Sequence, residues 1–248
     1  MTACVVIPAR YGSTRFPGKI VASETGMPLV QHVVMQAKKC KHVREVIVAI
    51  DDERIKKALL AFGTKCVMTS PKHQSGTDRI AEVAKDLKDE IVVNVQGDEP
   101  EIDPQIIDSL IERLQAHRDD MATAATPFPE GEDPADPNLV KVAISPFGHA
   151  IYFSRAAIPY QRDETEKRLE PYYLHLGIYA YRRDFLLRYA SWPPTPIELT
   201  EKLEQLRALE HARSIFVLKV NRATHGIDTP EQYEEFVERF RHQSRMTL

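Results

Sequence analysis

The strongest constraint on this chain is a regular alternation of short apolar runs and helical patterns through its first hundred residues. Residues 3–7, 46–50, 65–68 and 91–95 are short runs that read as strands, all but 65–68 rich in β-branched residues. Between them, residues 28–37, 53–62 and 77–87 read as helices. In the first helix Leu29, Val30, Val33, Val34 and Ala37 share one face, and Pro28 suits the first helical position. Asp51-Asp52 opens the second with acid at its positive end, and Gly63 can stop it. Alternation of this kind predicts an α/β fold, a mostly parallel central sheet flanked by helices. Ligands of such sheets bind beyond the carboxyl ends of the strands. That edge collects the loop after the first strand, Asp51-Asp52 and Gln96-Gly97-Asp98.

The first loop carries Arg10, Gly12, Ser13, Thr14, Arg15, Gly18 and Lys19. Glycine lets backbone approach an anion, and Arg10, Arg15 and Lys19 can neutralise a polyphosphate. Five residues separate Gly12 from Gly18 and Ile20 follows Lys19, so the loop is not a P-loop. The three spaced glycines of a dinucleotide fingerprint are also absent. A nucleotide loop of another kind fits, as does a solvated basic surface loop.

After about Leu114 the pattern changes. Residues 121–127, 139–144, 150–153, 174–181 and 215–220 read as strands. Residues 184–189, 197–211 and 230–241 read as helices, the middle one long and amphipathic. Residues 128–138 form a proline- and acid-rich loop, and 161–170, charged and aperiodic, form an exposed, mobile segment that could close over a substrate. The second half reads as an insertion that completes the first. The expectation is one domain over 1–248, divided at about residue 118.

The formal net charge of −3 gives no electrostatic reason to expect a nucleic-acid polymer as partner. Three widely spaced cysteines, Cys4, Cys40 and Cys66, argue against a disulfide framework or zinc site. Cys4 and Cys66 lie in strand-like runs and read as buried thiols, which points to a reducing cytoplasm. No signal peptide is visible and no apolar run approaches a membrane span.

Several polar residues carry two readings each. Asp98, just past a buried strand, is a natural magnesium ligand or a turn former. Ser75 and Thr77 read as helix caps that could also meet a phosphate. Thr229-Pro230 reads as a helix start, which leaves Asp228 as a possible second metal acid. Arg155, His175 and Tyr179 sit in strand-like runs, and Glu204 and Gln205 on the long helix, where core and solvated-face roles are the default.

Seven segments in one order resemble the CMP-Kdo synthetase (3-deoxy-manno-octulosonate cytidylyltransferase) family over nearly the whole chain. They are residues 7–19, 73–77, 94–100, 152–155, 175–179, 203–207 and 226–230. The resemblance implies a nucleotide-diphospho-sugar transferase fold, Rossmann-like, whose inserted α+β portion over 119–248 binds the sugar acid and dimerises. It implies a cytoplasmic homodimer that turns CTP and Kdo into CMP-Kdo and pyrophosphate for lipopolysaccharide synthesis. By the same resemblance Pro8, Ala9, Arg10, Ser13, Arg15, Lys19, Ser75, Gly76, Arg79 and Gln96 would bind nucleotide. Gln96, Arg155, His175, Tyr179, Glu204, Gln205 and Asp228 would meet the sugar acid, and Asp98 and Asp228 would hold Mg2+. Lys19, Arg15, Asp98 and Asp228 would carry the catalysis.

Two positions depart from the family pattern. Gly26-Met27-Pro28 stands where Gly-Lys-Pro is usual, which removes a cation, and Gln232 replaces an acid after Thr229-Pro230-Glu231. Rival readings are a cytidylyltransferase for 8-amino-Kdo or sialic acid, and a nucleotide-binding regulator without activity. The regulator would be expected to have lost Lys19 or a metal acid, and all three are present.

Overall fold

β1 (Ala3–Ala9) is buried along its whole length, as befits a parallel strand in a sheet covered on both faces. In the computed structural model, which describes residues 1–13, 15–73, 75–163, 171–221 and 226–246 (backbone only for 244–246), the chain forms two compact units. The first is Met1–Asp108 with Thr224–Leu248, the second Ser109–Ala223.

In chain order the first unit has β1, α1 (Leu29–Ala37), β2 (Val43–Ile50), α2 (Glu53–Leu59), β3 (Cys66–Met68), α3 (Gly76–Ala84) and β4 (Ile91–Asn94). The division into units falls within α4 (Pro104–Ala116). The second unit continues with β5 (Met121–Pro127), β6 (Lys141–Ile144), β7 (Ala150–Ser154), β8 (Tyr173–Arg182), α5 (Arg183–Ser191), α6 (Pro196–Glu201), α7 (Leu206–Glu210) and β9 (Ile215–Lys219). The terminal α8 (Pro230–Met246) returns to the first.

The first unit's sheet runs β3-β2-β1-β4 with every pairing parallel. β1 extends two residues past the expected strand, to Pro8 and Ala9, which pair with Ala49 and Ile50 of β2. β4 pairs only as far as Val6↔Asn94, so the N–H that Pro8 lacks falls beyond that ladder. The helix caps follow the sequence. Asp52 accepts from Arg54 N at 2.8 Å, and Ser75 accepts from Asp78 N at 3.1 Å.

The C-terminal segment, grouped by sequence with the second half, belongs to the first unit. Tyr233, Phe236 and Val237 of α8 bury against Leu29 and Ile227, with Phe16 packed alongside. α4 lies outside the helices expected from sequence, although Ile106, Ile107, Leu110, Ile111 and Leu114 form its buried face.

In the second unit β5 pairs antiparallel with β8 and parallel with β9, while β6 pairs antiparallel with β7. The β5–β8 register jumps from Thr123↔Tyr179 to Ala124↔Leu176, so Gly177 and Ile178 bulge out of the ladder.

The long helix expected over 197–211 is two short ones, α6 and α7, broken at Lys202 with φ of 55°. A buried ion pair accounts for the break. Arg207 grips Glu198 with two bonds, Nε to Oε2 at 2.8 Å and Nη2 to Oε1 at 2.5 Å. In a straight helix residues nine apart lie about 13 Å along the axis and on opposite faces. Glu204 and Gln205 therefore stand in the break and not on a helix face. Cys4 and Cys40 are buried, but Cys66 is only half-buried. The segment 164–170 lies outside the described residues, and with it the expectation of a closing loop.

Candidate active site

In the first unit, four parallel strands end at one edge and each delivers a polar residue there. Asp51 follows β2, Thr69 follows β3, and Gln96-Gly97-Asp98 follows the end of β4. Asp51 organises the start of the β1 loop. Its Oδ1 accepts from Tyr11 N at 3.0 Å, and its Oδ2 lies 3.8 Å from Arg10 and 3.4 Å from Arg79. Sequence reasoning placed Asp51 on this edge and at the start of α2 but gave it no role in the site. The argument applied to Asp98, an acid just past a buried strand, would have found it.

Arg79 is fully buried and bonds Thr69 Oγ1 through Nη1 at 2.5 Å. Its Nε is buried without a hydrogen-bond partner among the described residues. Arg79 thus ties β2, β3 and α3 beneath the surface. Ser75 caps α3. A Cβ on Gly76 would stand 3.4 Å from the Pro8 ring, so the start of α3 lies against the end of β1.

The loop after Tyr11 turns on Ser13, whose Oγ accepts from Phe16 N at 3.4 Å, and on Gly18, which holds a φ of 72°. The turn leads into a short 3-10 helix, Lys19–Val21, and buries Lys19. Lys19 Nζ donates to Asp98 Oδ2 at 2.7 Å, to the Ile227 carbonyl at 2.5 Å and to Asp228 Oδ1 at 3.3 Å. Arg15, more exposed, lies 3.0 Å from the same Asp228 oxygen.

The two acids meet because Ile227 N donates to the Asp98 carbonyl at 2.9 Å and the α8 core anchors Ile227. Gln232 also contributes. Its Oε1 accepts from Asp228 N at 2.7 Å and Thr229 N at 3.1 Å, so the residue that departs from the family pattern fixes the backbone of the second acid. Glu99, also missed by sequence, is buried beside Asp98. Burial and that neighbouring carboxylate push its carboxyl up to about 8.

One cation, the Lys19 ammonium, reaches both Asp98 and Asp228, so the pair has the geometry to share a positive ion. Among the described residues no three His, Cys, Asp or Glu side chains converge on a metal site. Two carboxylates completed by substrate phosphate oxygens are the donor set that suits magnesium.

The second unit holds the remaining candidates. His175 and Tyr179 of β8 lie with ring centroids 5.4 Å apart, and His175 Nε2 is 3.0 Å from Thr123 Oγ1. Burial pushes the His175 imidazole down to about 3, so it is neutral near pH 7. Burial, with Tyr189 and Glu204 nearby, raises the Tyr179 phenol. The Glu204 carbonyl accepts from Tyr189 Oη at 2.5 Å, and Gln205 keeps a buried Nε2 with no partner among the described residues.

Arg155 has a bracing role in its own unit. Its Nε donates to the Glu201 carbonyl at 2.7 Å, Nη1 to that of Pro137 at 2.7 Å and Nη2 to that of Lys202 at 3.4 Å. These bonds take three of the five guanidinium donors and fix the turn that precedes Glu204 and Gln205.

A parallel sheet with a basic loop after β1 and two acids sharing one cation defines a nucleotidyltransferase. The family model described as Cytidylyltransferase matches residues 4–215. The 3-deoxy-manno-octulosonate cytidylyltransferase of Idiomarina loihiensis is 49% identical over 245 residues, covering 94% of this chain and 96% of that one. The protein of the same name from Geobacter metallireducens is 46% identical, covering 96% and 98%. Among solved structures, that of CMP:2-keto-3-deoxy-manno-octonic acid synthetase complexed with CTP superimposes with a TM-score of 0.92 at 39% identity, covering 98% of this chain and 100% of that one. The chain belongs to the 3-deoxy-manno-octulosonate cytidylyltransferase family.

Proposed function

We propose that this chain transfers the cytidylyl group of CTP to 3-deoxy-D-manno-octulosonate, giving CMP-Kdo and pyrophosphate for lipopolysaccharide synthesis. The observation that carries the reading is the joining of Asp98 and Asp228 on one cation, beside a basic loop that leaves the end of β1. The anomeric hydroxyl of the sugar acid gives up its proton to solvent and its oxygen attacks the α-phosphorus, the bond to the bridging oxygen breaks, and pyrophosphate leaves with its electron pair. Such transfers ask a protein mainly for positioning and charge. Arg10, Ser13, Arg15 and Lys19 supply donors and positive charge for the triphosphate. Asp98 and Asp228 hold magnesium, which when bound supplies charge to the reacting oxygens. His175, Tyr179, Glu204 and Gln205 receive the sugar acid, and the buried Gln205 Nε2 is a donor in need of an acceptor.

A homodimer in the cytoplasm is part of the same proposal. The exposed apolar side chains Phe147, Ile151, Tyr160 and Leu199 of the second unit support the dimer. Among the described residues no helix is long and apolar enough to cross a membrane.

The test is pyrophosphate release from CTP with Mg2+ and Kdo, 8-amino-Kdo or N-acetylneuraminate side by side. Release with Kdo is expected, and release with another acid alone would overturn the substrate assignment. Asp98→Asn should lower turnover by at least ~10²-fold, the scale of losing one transition-state stabiliser. Near-normal turnover in the folded variant would remove Asp98 from the metal site.

A further inference from the structure

We propose that Lys19 occupies the cation position of Asp98 and Asp228 in the nucleotide-free protein, so that a divalent ion loads there only when a triphosphate draws the ammonium away. This rests on the magnesium reading of the acid pair given above.

An ammonium has three donors, and Lys19 uses all three, on Asp98 Oδ2, Asp228 Oδ1 and the Ile227 carbonyl. Its side chain is 8% exposed, so water screens these contacts little. The donor set leaves nothing for a phosphate until one of the three bonds is given up. A divalent ion on the same two carboxylates would face the ammonium at close range, where like charges repel strongly in a partly dry site.

A triphosphate resolves the conflict. It offers the lysine another anion, and its oxygens help coordinate the incoming ion. Lys19 suits such a transfer because its charge rides on a flexible four-carbon stem. Arg15 does not duplicate it. Its side chain is 65% exposed and its ion pair is with Asp228, not Asp98. Lys19 thus offsets part of the charge of the two carboxylates and holds them in place while the site waits for nucleotide.

The experiment measures Mn2+ binding to the nucleotide-free full chain by electron paramagnetic resonance and titration calorimetry. Lys19→Gln removes the charge and keeps a donor for the Ile227 carbonyl. It should bind Mn2+ roughly 10- to 100-fold more tightly than the natural chain, the ordinary range of coupling between two ligands. The gain should vanish when Asp98→Asn is added, and Arg15→Gln should give a smaller gain than Lys19→Gln. Circular dichroism melting checks the fold, and Lys19→Met replaces Lys19→Gln if the latter does not fold.

Equal or weaker Mn2+ binding by Lys19→Gln overturns the proposal, as does an equal gain from Arg15→Gln, which would mark a general charge effect. The magnesium reading is checked separately with CTP present. If Asp98→Asn leaves the Mn2+ spectrum of that complex unchanged, the metal assignment itself fails. If the spectrum changes but Lys19→Gln shows no gain, only the role of Lys19 falls.

Discussion

Gly97 is where one added methyl should reach the chemistry. A Cβ there would stand 2.9 Å from the Pro8 carbonyl oxygen and 3.2 Å from Ile20 Cδ1. The first neighbour is backbone of a central buried strand and cannot swing aside. To reach the 3.4 Å of ordinary contact from 2.9 Å, the two segments must part by 3.4 − 2.9 = 0.5 Å. Forced expansion of a packed interior costs about 1–3 kcal/mol. The shift also moves the next residue, Asp98, off the geometry it shares with Lys19 and Asp228. A displacement of 1 Å can cost about 10²-fold in rate, so half of that should cost about tenfold. Gly97→Ala should therefore lose stability in urea with an unchanged denaturant slope, and turn over about tenfold more slowly at saturating CTP. Gly12→Ala is the stability control, because among the described residues nothing lies within 4 Å of its added Cβ. It should stay within about 0.5 kcal/mol of the natural chain. Natural stability and turnover in Gly97→Ala would refute the claim that this close approach places Asp98.

Other substitutions separate bracing from binding. Glu198→Gln leaves the buried Arg207 guanidinium without its counter-charge and should cost about 3–5 kcal/mol in urea unfolding. A loss under about 1 kcal/mol would mean that the pair does not hold the α6–α7 break. Burial alone would raise the Glu198 carboxyl, but hydrogen bonds from Arg207 and Thr195 outweigh it and its pKa lies below the usual range. That stability is complete above the unfolded carboxylate pKa and is lost as pH falls through the lower folded value. Arg155→Lys, which loses the spread fork, should lower stability by about 1–2 kcal/mol and raise KM for the sugar acid while leaving KM for CTP alone. A rise in KM without any stability loss would return Arg155 to direct substrate contact. Burial lowers His32 to about 4 and His175 to about 3, from 6.5. The unfolded chain then takes up protons first, so stability should be full above pH 6.5 and fall as pH drops from 6.5 toward 3. His175→Gln should flatten part of that slope, and an unchanged slope in the variant would refute the assignment.

The alternation of apolar runs and helices set the parallel sheet, and with it the edge where Asp51, Gln96 and Asp98 emerge. Both facts are local. Period and burial are written residue by residue, and strand polarity in an α/β pattern follows from the connections. The Ser75 and Asp52 caps were legible for the same reason, since each needs only an amide two or three residues away.

Long-range contacts were not legible. Nothing near Lys19 signals that it reaches Asp228, more than two hundred residues on, because that contact depends on α8 packing against Leu29 and Phe16. The break at Lys202 hid behind a continuous apolar pattern, since the Glu198–Arg207 pair that requires it is tertiary. Arg155 carries the same lesson. Its residue type suits a carboxylate, but folding also brings three carbonyls together on three of its five donors, which nothing local signals. Sequence by itself determined which residues could do chemistry and on which sheet edge many of them emerge, because side-chain type and backbone period are local properties. Only the tertiary structure decided which charges meet, because the energy of a buried ion depends on the partners and water around it.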